Sequence, residues 1–421
     1  MIAFNVFEAT IQATRAALLG GAVTCVQLAE QYLARIAAYD AAGPRLNAML
    51  AINPALMAEA AALDRARQAA PHALPPLHGM AVVVKDNIDM RGLPTTGGVA
   101  ALAQLTAARD ANVVARLRAA GALIIGKTNL HEFALAGLTV SSLRGQTLNP
   151  YALGRTPGGS SGGSGVAVAA SLALVGIGTD TGQSVRSPAS ALALVGLRPT
   201  RGLVGRSGVM PASLTQDTVG PLARSAEDAA RVLDVIAGFD ADDPSSAASP
   251  NRQTAGYAAQ LDQHGLAGAR IGILRALFGS AGRHAGVNRV VLAAADAMAA
   301  QGAMLVDIAV PELDELTADQ VTSDHEMRAA FDRYLGGMAT TPATASLAAI
   351  VAGGGFHPSV AASLRAAVEG RGMADPAYAR ICLGRDRLRT ALLHVMARHR
   401  LDAILYPHQK ILVVPVDAEA Q

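Results

Sequence analysis

The feature that most constrains the fold is a glycine- and serine-rich run between two apolar segments. Residues 157–165 read PGGSSGGSG, and the apolar segment VAVAASLALVGIG follows at 166–178. Such a composition is typical of a flexible linker, which should separate domains. This run instead lies between segments of apolar core, and a glycine-rich stretch entering a helix presents backbone N–H groups to an anion or oxyanion. We therefore interpret the run as part of a site.

The segments around this run predict a buried sheet. Residues 81–84 and 122–125 are short apolar runs typical of buried strands, and a helix is predicted between them at 112–120. Strand, helix and strand in this order indicate an α/β fold whose sheet is covered on its faces. Further predicted elements are a capping box formed by Thr24 and Gln27, helices at 55–68, 226–237 and 287–301, a mostly helical stretch at 317–400, and strands at 269–277, at 303–310 and from Leu401.

Composition argues against several classes of partner. Aromatic residues make up 3% of the chain and Trp is absent, so stacking platforms for nucleic-acid bases are not expected. The formal net charge is +2, and the 35 basic residues are scattered rather than clustered. The two cysteines, Cys25 and Cys382, fit a reducing compartment, and the N-terminal residues lack the pattern of a secretion signal. We expect a cytoplasmic protein with no nucleic-acid partner and no membrane partner.

Three short motifs match functional patterns by their letters. Residues 121–128, GALIIGKT, satisfy the P-loop pattern, but the predicted strand occupies the part that would have to curl around a phosphate. Residues 158–162, GGSSG, satisfy the GxSxG nucleophile elbow, although a loop-like segment precedes them where the elbow requires a strand. His131 and Glu132 begin an HExxH motif that has no second histidine, so a catalytic metal is not expected. Nucleotide binding and α/β-hydrolase chemistry stay as alternatives.

Four longer motifs together resemble the amidase signature family, which includes fatty acid amide hydrolase, peptide amidase, malonamidase and the A subunit of glutamyl-tRNA amidotransferase. They are KDNID at 85–89, GKTNLHEFA at 126–134, PGGSSGGSG at 157–165 and GTDTGQSVRSPAS at 178–190. Two further stretches, VGLRPTRGLVGRSGVMP and QDTVGPLARS, extend the similarity to Ser225, and it is strong from about residue 24 to residue 240. Four motifs in the right order indicate the family far more specifically than any one of them alone.

The resemblance implies an α/β fold with a mixed, mostly buried central β-sheet covered by helices on both faces. It also implies a Ser–cis-Ser–Lys catalytic triad. By motif, the lysine is Lys85, the bridging serine is Ser160, the first of the serine pair, and the nucleophile is Ser184. The family pattern further implies that the peptide bond before Ser160 is cis.

Amide hydrolysis gives each of these residues a chemical role. A serine hydroxyl is a weak nucleophile until a base takes its proton. Lysine can be that base only when neutral, and burial can lower its pKa far below the usual value of about 10.4. Lys85 directly follows the apolar residues 81–84, so a buried strand end would supply that setting. The alternative, a lysine at the exposed end of a strand, is commoner in general, and the serine motifs favour the buried position.

The resemblance implies further roles around the nucleophile. The backbone N–H groups expected to form the oxyanion hole are those of Thr181, Gly182, Gln183 and Ser184. Ser161, Asp180 and Arg186 are expected to support this loop, with ordinary turn and capping roles as the alternative. Gln183 stands where many members of the family have Gly, which costs free energy only if that backbone needs a positive φ. The mechanism requires no cofactor and no metal.

The domain organisation follows from the same motifs. We predict an N-terminal helical segment at 1–70 packed on the core, an amidase signature catalytic core at 71–240, and a linker-like loop at 241–256. Residues 257–421 are predicted to be a second α/β and helical portion of the same domain. Relatives usually continue beyond the strand that corresponds to LDAILYP, so we expect the sheet to be incomplete at the C-terminus.

The predicted function is hydrolysis of a carboxylic amide through an acyl-enzyme, with release of ammonia or an amine. The expected substrates are small linear amides, whose C–N bonds are not peptide bonds. The alternative is a non-catalytic or partner-dependent amidotransferase-like subunit. A homodimer is left open.

Overall fold

The structure of the chain is a computed structural model that describes residues 4–249 and 256–416. The chain divides into two compact units. The first contains the described residues up to 258, residues 326–370 and residues 413–416, and the second contains residues 259–325 and 371–412. Each unit has its own sheet.

The described residues form both strands and helices. The strands are β1 (Met49–Ile52), β2 (Ala81–Lys85), β3 (Leu123–Thr128), β4 (Val140–Ser141), β5 (Gly145–Gln146), β6 (Val175–Asp180), β7 (Val195–Gly196), β8 (Thr218–Ala223), β9 (Arg270–Leu274), β10 (Met304–Ile308) and β11 (Ala403–Leu405). The α-helices are α1 (Ile11–Leu19), α2 (Cys25–Arg35), α3 (Leu56–Ala69), α4 (Asn112–Ala119), α5 (Gly162–Ala169), α6 (Arg186–Ala191), α7 (Ala226–Ile236), α8 (Ala285–Ala300), α9 (Leu313–Thr317), α10 (Ser323–Leu335), α11 (Leu347–Gly353), α12 (Ala361–Glu369) and α13 (Pro376–His399).

The central sheet of the first unit is mixed. Its strand order is β1-β3-β2-β6-β8-β7, with β2 parallel to both β3 and β6 and the other neighbouring pairs antiparallel. Every residue of β2, β3, β6 and β8 is buried. Because successive side chains of a strand point to opposite faces, both faces of these strands must be covered. The predicted fold class, a mixed α/β sheet between helices, is confirmed.

The predicted elements of the core occur close to their expected positions. β2 contains the first predicted buried strand, β3 covers residues 123–125 of the second, and α4 is the helix between them. Thr24 and Gln27 form the predicted capping box at the start of α2. In one respect the structure differs from the prediction of a helical segment at 1–70, because this segment also contains the strand β1. Four apolar residues are too short a run to be distinguished from a helix by periodicity, and pairing with β3 makes them a strand.

Glycine allows α5 to lie very close to neighbouring backbone. A Cβ atom added at Gly163 would lie 2.3 Å from the carbonyl oxygen of Asn129 and 2.6 Å from that of Ala48. One added at Gly178, on β6, would lie 2.6 Å from Ser161 Oγ. The residues of 157–165 are buried, and their last four form the start of α5. The glycine-rich run is therefore a tightly packed entry to a helix, as its position between apolar segments indicates.

The stretch predicted as a linker is ordered over residues 241–249. Asp243 accepts hydrogen bonds from Arg206, with a closest distance of 3.0 Å, and is buried. The nearby Asp240 accepts hydrogen bonds from the backbone N–H and hydroxyl of Ser207. A polar and acidic composition predicts a linker because the sequence does not reveal which residues bind the acidic side chains. In the structure, residues far away in sequence donate hydrogen bonds to them. Residues 250–255 of the predicted linker lie outside the described residues.

The second unit has a parallel three-stranded sheet in the order β10-β9-β11. α8 connects β9 to β10 along the chain, which gives the predicted strand, helix, strand order. β11 contains residues of the strand predicted from Leu401 onward. Within the described part of the chain, no helix combines the length and the apolar character needed to cross a membrane.

The stability of the chain should depend on the close approach of α5 to neighbouring backbone. We expect Gly163→Ala to lower the free energy of unfolding by about 3 kcal/mol, because the added methyl group would meet backbone atoms that cannot move aside. The matched control is Gly353→Ala, at the end of α11, where an added Cβ meets nothing within 4 Å. Urea unfolding measures both variants. Equal stability of the two would contradict the packing described for α5.

Candidate active site

The topology brings the ends of two parallel strands together. Lys85 is the last residue of β2, and Thr179 and Asp180 end the neighbouring strand β6. Since the strands are parallel, these residues lie at the same edge of the sheet, where α/β proteins commonly bind ligands. α5 begins beside this edge, and Ser161 directly precedes its first residue.

Lys85 is completely buried and surrounded by hydroxyl and carbonyl groups. Its Nζ lies 2.7 Å from Ser160 Oγ, 2.8 Å from Thr179 Oγ1 and 3.4 Å from the Thr179 carbonyl oxygen. Burial lowers the pKa of Lys85 to about 7, although the carboxylates of Asp180 and Asp217 act in the opposite direction. A large part of the Lys85 amines is therefore neutral near pH 7.

Lys127, the lysine of the P-loop-like motif, is also completely buried but has a different environment. Its Nζ forms an ion pair with Asp86 Oδ1 at 3.0 Å and also donates to the Pro94 carbonyl oxygen. Lys85 has no such ion pair among the described residues. Lys127 lies within β3, which also contains three of the four residues between the two glycines of its motif, so this segment cannot form a phosphate-binding loop.

The serine pair lies in a hydrogen-bond network. The peptide bond between Gly159 and Ser160 is cis, as the family resemblance predicts, and Ser160 is completely buried. The Ser160 carbonyl oxygen accepts a hydrogen bond of 3.1 Å from the backbone N–H of His131. Ser161 connects two other segments, because its hydroxyl donates to the Thr179 carbonyl oxygen and its backbone N–H donates to the Ser184 carbonyl oxygen, both at 3.1 Å. The two serine-bearing loops therefore meet.

The loop from Thr181 to Ser184 carries four unused backbone donors. None of these four N–H groups donates a hydrogen bond to any described residue, whereas the following two, of Val185 and Arg186, both donate to Asp180 Oδ2. Ser184 is buried, with 4% of its surface exposed, and its hydroxyl makes no hydrogen bond within the described chain. A serine beside several free N–H groups is the arrangement that an oxyanion hole requires.

Asp180 organises the far side of this loop. Its carboxylate pairs with the Arg186 guanidinium at 3.1 Å and with Arg198 at 2.8 Å. Burial alone would raise the pKa of Asp180, but the hydrogen bonds and positive charge of Arg186, together with the charge of Arg198, outweigh it and lower the pKa. Arg186 also donates to the Gly182 carbonyl oxygen, so this ion pair helps to fix the loop.

Gln183 fits its position without strain. It is not among the residues with positive φ, so the replacement of glycine by glutamine carries no backbone penalty here. The side chain is exposed and lies beside Gly137, where an added Cβ would be 3.0 Å from Gln183 Nε2.

Sequence reasoning did not single out three residues of this region. Thr179 contacts Lys85, Arg198 pairs with Asp180, and Asp217 accepts a hydrogen bond from the Thr181 hydroxyl at 2.6 Å. Thr179 and Arg198 lie within motifs that the family resemblance uses, and Asp217 lies in the QDTVGPLARS stretch. Their positions in those motifs were the signal in the sequence that could have identified them. Their hydrogen-bond and ion-pair partners depend on strand pairing.

The other candidate motifs do not converge on a metal site. His131 is completely buried, and burial, followed by the charges of His357 and Lys85, lowers its pKa to about 3. Its Nε2 lies 2.9 Å from Ser359 Oγ, and its Nδ1 accepts the Leu138 backbone N–H. Over residues 4–249 and 256–416, no group of three or more His, Cys, Asp or Glu side chains is placed to hold a metal ion.

Comparison with known proteins identifies the class to which this fold and site belong. The family model described as Amidase matches residues 27–420, and the chain belongs to the amidase family. The solved structure of peptide amidase from Stenotrophomonas maltophilia is similar with a TM-score of 0.86 and 37% identity, covering 96% of this chain and 86% of that one. An amidase family protein from Bacillus anthracis is similar with a TM-score of 0.84 and 29% identity, covering 95% and 80%.

Curated relatives point to a second branch of the same family. The A subunit of the glutamyl-tRNA(Gln) amidotransferase of Deinococcus radiodurans is 41% identical over 308 residues, which cover 73% of this chain and 61% of the relative. Its counterpart in Prochlorococcus marinus is 40% identical over 318 residues, covering 75% and 64%. The matched region thus spans less than two thirds of these relatives.

The two buried lysines should differ in their effect on stability. Lys127→Met leaves the Asp86 carboxylate buried without its ion pair, and we expect a loss of about 3–5 kcal/mol in the free energy of unfolding. Lys85→Met, the matched control, removes an amine that has no carboxylate partner and should change the stability at pH 7 little, or raise it. Urea unfolding of both variants tests this difference, and an equal loss from the two would contradict it.

Proposed function

We propose that the chain hydrolyses carboxylic amides, with Ser184 as nucleophile and with Ser160 and Lys85 relaying the proton. The observation that carries this proposal is the 2.7 Å hydrogen bond between Lys85 Nζ and Ser160 Oγ in a completely buried setting. A buried lysine whose pKa is lowered to about 7 is a base suited to neutral pH. Membership of the amidase family supports amide C–N hydrolysis as the reaction class.

The hydrogen-bonding capacity of a neutral lysine agrees with this relay. A neutral amine has two N–H donors and one lone pair. The Thr179 hydroxyl and carbonyl oxygens are two acceptors for the N–H groups, at 2.8 and 3.4 Å. The lone pair then faces Ser160 Oγ, whose proton it can accept. The Asn87 side chain also donates to Thr179 Oγ1, which keeps that acceptor oriented toward the amine.

The proposed reaction proceeds in two halves. As Ser184 Oγ attacks the amide carbon, its proton passes to Ser160, and the Ser160 proton passes to Lys85. The free backbone N–H groups of Thr181, Gly182, Gln183 and Ser184 stabilise the oxyanion that forms. The relay returns the proton to the leaving nitrogen, which departs as ammonia or an amine. Water then attacks the acyl-enzyme in the same way, releasing the carboxylic acid and restoring Ser184.

The supporting residues keep these groups in position. Ser161 joins the two serine-bearing loops through the Ser184 carbonyl oxygen and also holds the Thr179 carbonyl oxygen. Asp180 and Arg186 close the turn at 180–186, which contains the proposed nucleophile. Substrates proposed for this site are small linear amides, and the relatives named peptide amidase make amides of peptides another class to test.

A second candidate function is supported by the curated relatives. The chain is 41% identical to one component of a glutamyl-tRNA(Gln) amidotransferase, which supports a role for its amidase site within a larger assembly. Release of ammonia from glutamine by the purified chain alone would favour the independent hydrolase. Release only after a partner protein is added would favour the role of a component in such an assembly. Sedimentation of the purified chain tests the further proposal that it forms a homodimer.

The activity should depend on pH through Lys85. Protonated Lys85 cannot accept the Ser160 proton, so kcat/KM should rise as the pH rises through about 7. Well below that value, kcat/KM should fall about tenfold for each pH unit. Initial rates on a simple amide between pH 5 and 9 measure this dependence. A rate that stays constant down to pH 5 would remove Lys85 as the base.

The nucleophile can be identified directly. Ser184→Ala should abolish turnover, and Lys85→Ala should reduce kcat by several orders of magnitude, because the proton then has no acceptor. A fluorophosphonate probe should label the wild-type chain at Ser184, as peptide mass spectrometry would show. The control variant Ser190→Ala changes an exposed serine of α6 and should retain both labelling and activity. Turnover by Ser184→Ala would refute the assignment.

A further inference from the structure

The proposed oxyanion loop is held from a second side by a buried carboxylate in the QDTVGPLARS stretch. Thr181 Oγ1 donates a hydrogen bond of 2.6 Å to Asp217 Oδ1. This contact follows from strand register, because β8 begins at Thr218 and pairs antiparallel with β6, with Asp180 opposite Thr218. The residue after Asp180 therefore lies beside the residue before Thr218.

The surroundings of Asp217 indicate an ionised carboxylate with a fixed orientation. Its Oδ2 accepts the backbone N–H groups of Ala212 and Ser213, both at 2.8 Å. With the Thr181 hydroxyl, this makes three donors and requires acceptor oxygens only, as in a carboxylate. Burial raises the pKa of Asp217 above its ordinary value, and these hydrogen bonds oppose the rise. Asp217 is 6% exposed and has no ion pair among the described residues, whereas Asp180 pairs with two arginines.

The charged groups near Lys85 are few. Asp180 comes from the end of β6, and Asp217 comes from the segment before β8. The imidazole of His131, in the loop after β3, is also near Lys85 and is neutral because burial lowers its pKa to about 3. Lys127 of the adjacent strand is paired with Asp86. Of the two carboxylates that act on Lys85, only Asp217 also contacts the side chain of Thr181.

We propose that Asp217 is a positioning residue that holds the candidate oxyanion loop through Thr181 and acts electrostatically on Lys85. This inference rests on the proposed function and extends it to a residue outside the triad. Through the loop it orients the free N–H groups that receive the developing negative charge. Through its own charge it favours the protonated form of Lys85 during the step in which the relay carries the proton.

The first test separates the hydroxyl from the rest of the Thr181 side chain. Thr181→Val keeps the shape but removes the donor, and we expect kcat to fall about tenfold with KM nearly unchanged, because misplaced donors act mainly on the transition state. Thr181→Ser keeps the hydroxyl and should retain most of kcat. Steady-state kinetics on one amide would measure both variants. Equal kcat values for the two would overturn the positioning role.

The second test examines the electrostatic effect and does not depend on activity. The chain has three lysines, Lys85, Lys127 and Lys410, so the ¹³C-labelled lysine side chains give few NMR signals. Lys85→Met assigns one of them. In Asp217→Asn, loss of the negative charge should move the Lys85 titration about half a pH unit to one unit lower. Thr181→Val retains the charge and should leave the titration nearly unchanged.

The outcomes distinguish this inference from the proposed function. A wild-type Lys85 that titrates near the ordinary lysine value of about 10 would refute the relay. The shift in Asp217→Asn is measured relative to wild type, so it reports the electrostatic effect wherever the wild-type midpoint lies. No shift, in a variant whose thermal unfolding shows it to be folded, would overturn the electrostatic part of the inference.

Discussion

Lys85 is buried at the end of a central strand, and its hydrogen-bond partners are two hydroxyl groups and a carbonyl oxygen. Desolvation raises the free energy of the charged form of this amine and lowers its pKa to about 7, which the proposed role of Lys85 as a base requires. The rest of the site depends on this balance. A carboxylate paired with Lys85, such as the one paired with Lys127, would favour the charged amine and remove the lone pair that the proposed relay needs.

The sheet provides the geometry that this chemistry needs. Two parallel strands end at one edge, so Lys85 and Thr179 lie side by side. The close packing of α5 brings Ser160 and Ser161 to the same edge, and the hydrogen bond from Ser161 to the Ser184 carbonyl oxygen joins the loop of the proposed nucleophile to the serine pair. Glycine is required at Gly163 because backbone atoms leave no space for a side chain. Local composition and global packing are therefore consistent.

Much of this arrangement could be predicted from the sequence. The apolar residues before Lys85 indicate a buried strand end, and the family motifs imply the cis bond and the serine pair. The ordered segment at 241–249 could not be predicted, because its acidic residues are satisfied by partners far away in sequence, such as Arg206. The link between Thr181 and Asp217 depends on the antiparallel register of β6 and β8, which a single sequence does not reveal. Sequence patterns thus predicted several core elements and the residues that meet at the candidate site, and long-range pairing determined the supporting contacts.

The burial of two of the three lysines has a practical consequence for chemical modification. Lys410 is the one lysine side chain that is exposed to solvent, whereas Lys85 and Lys127 are completely buried. Reagents that acylate primary amines would react with the folded chain at Lys410, in addition to any free α-amino group. Amine-directed attachment to a support would then use very few points and would leave the buried amine beside Ser160 untouched.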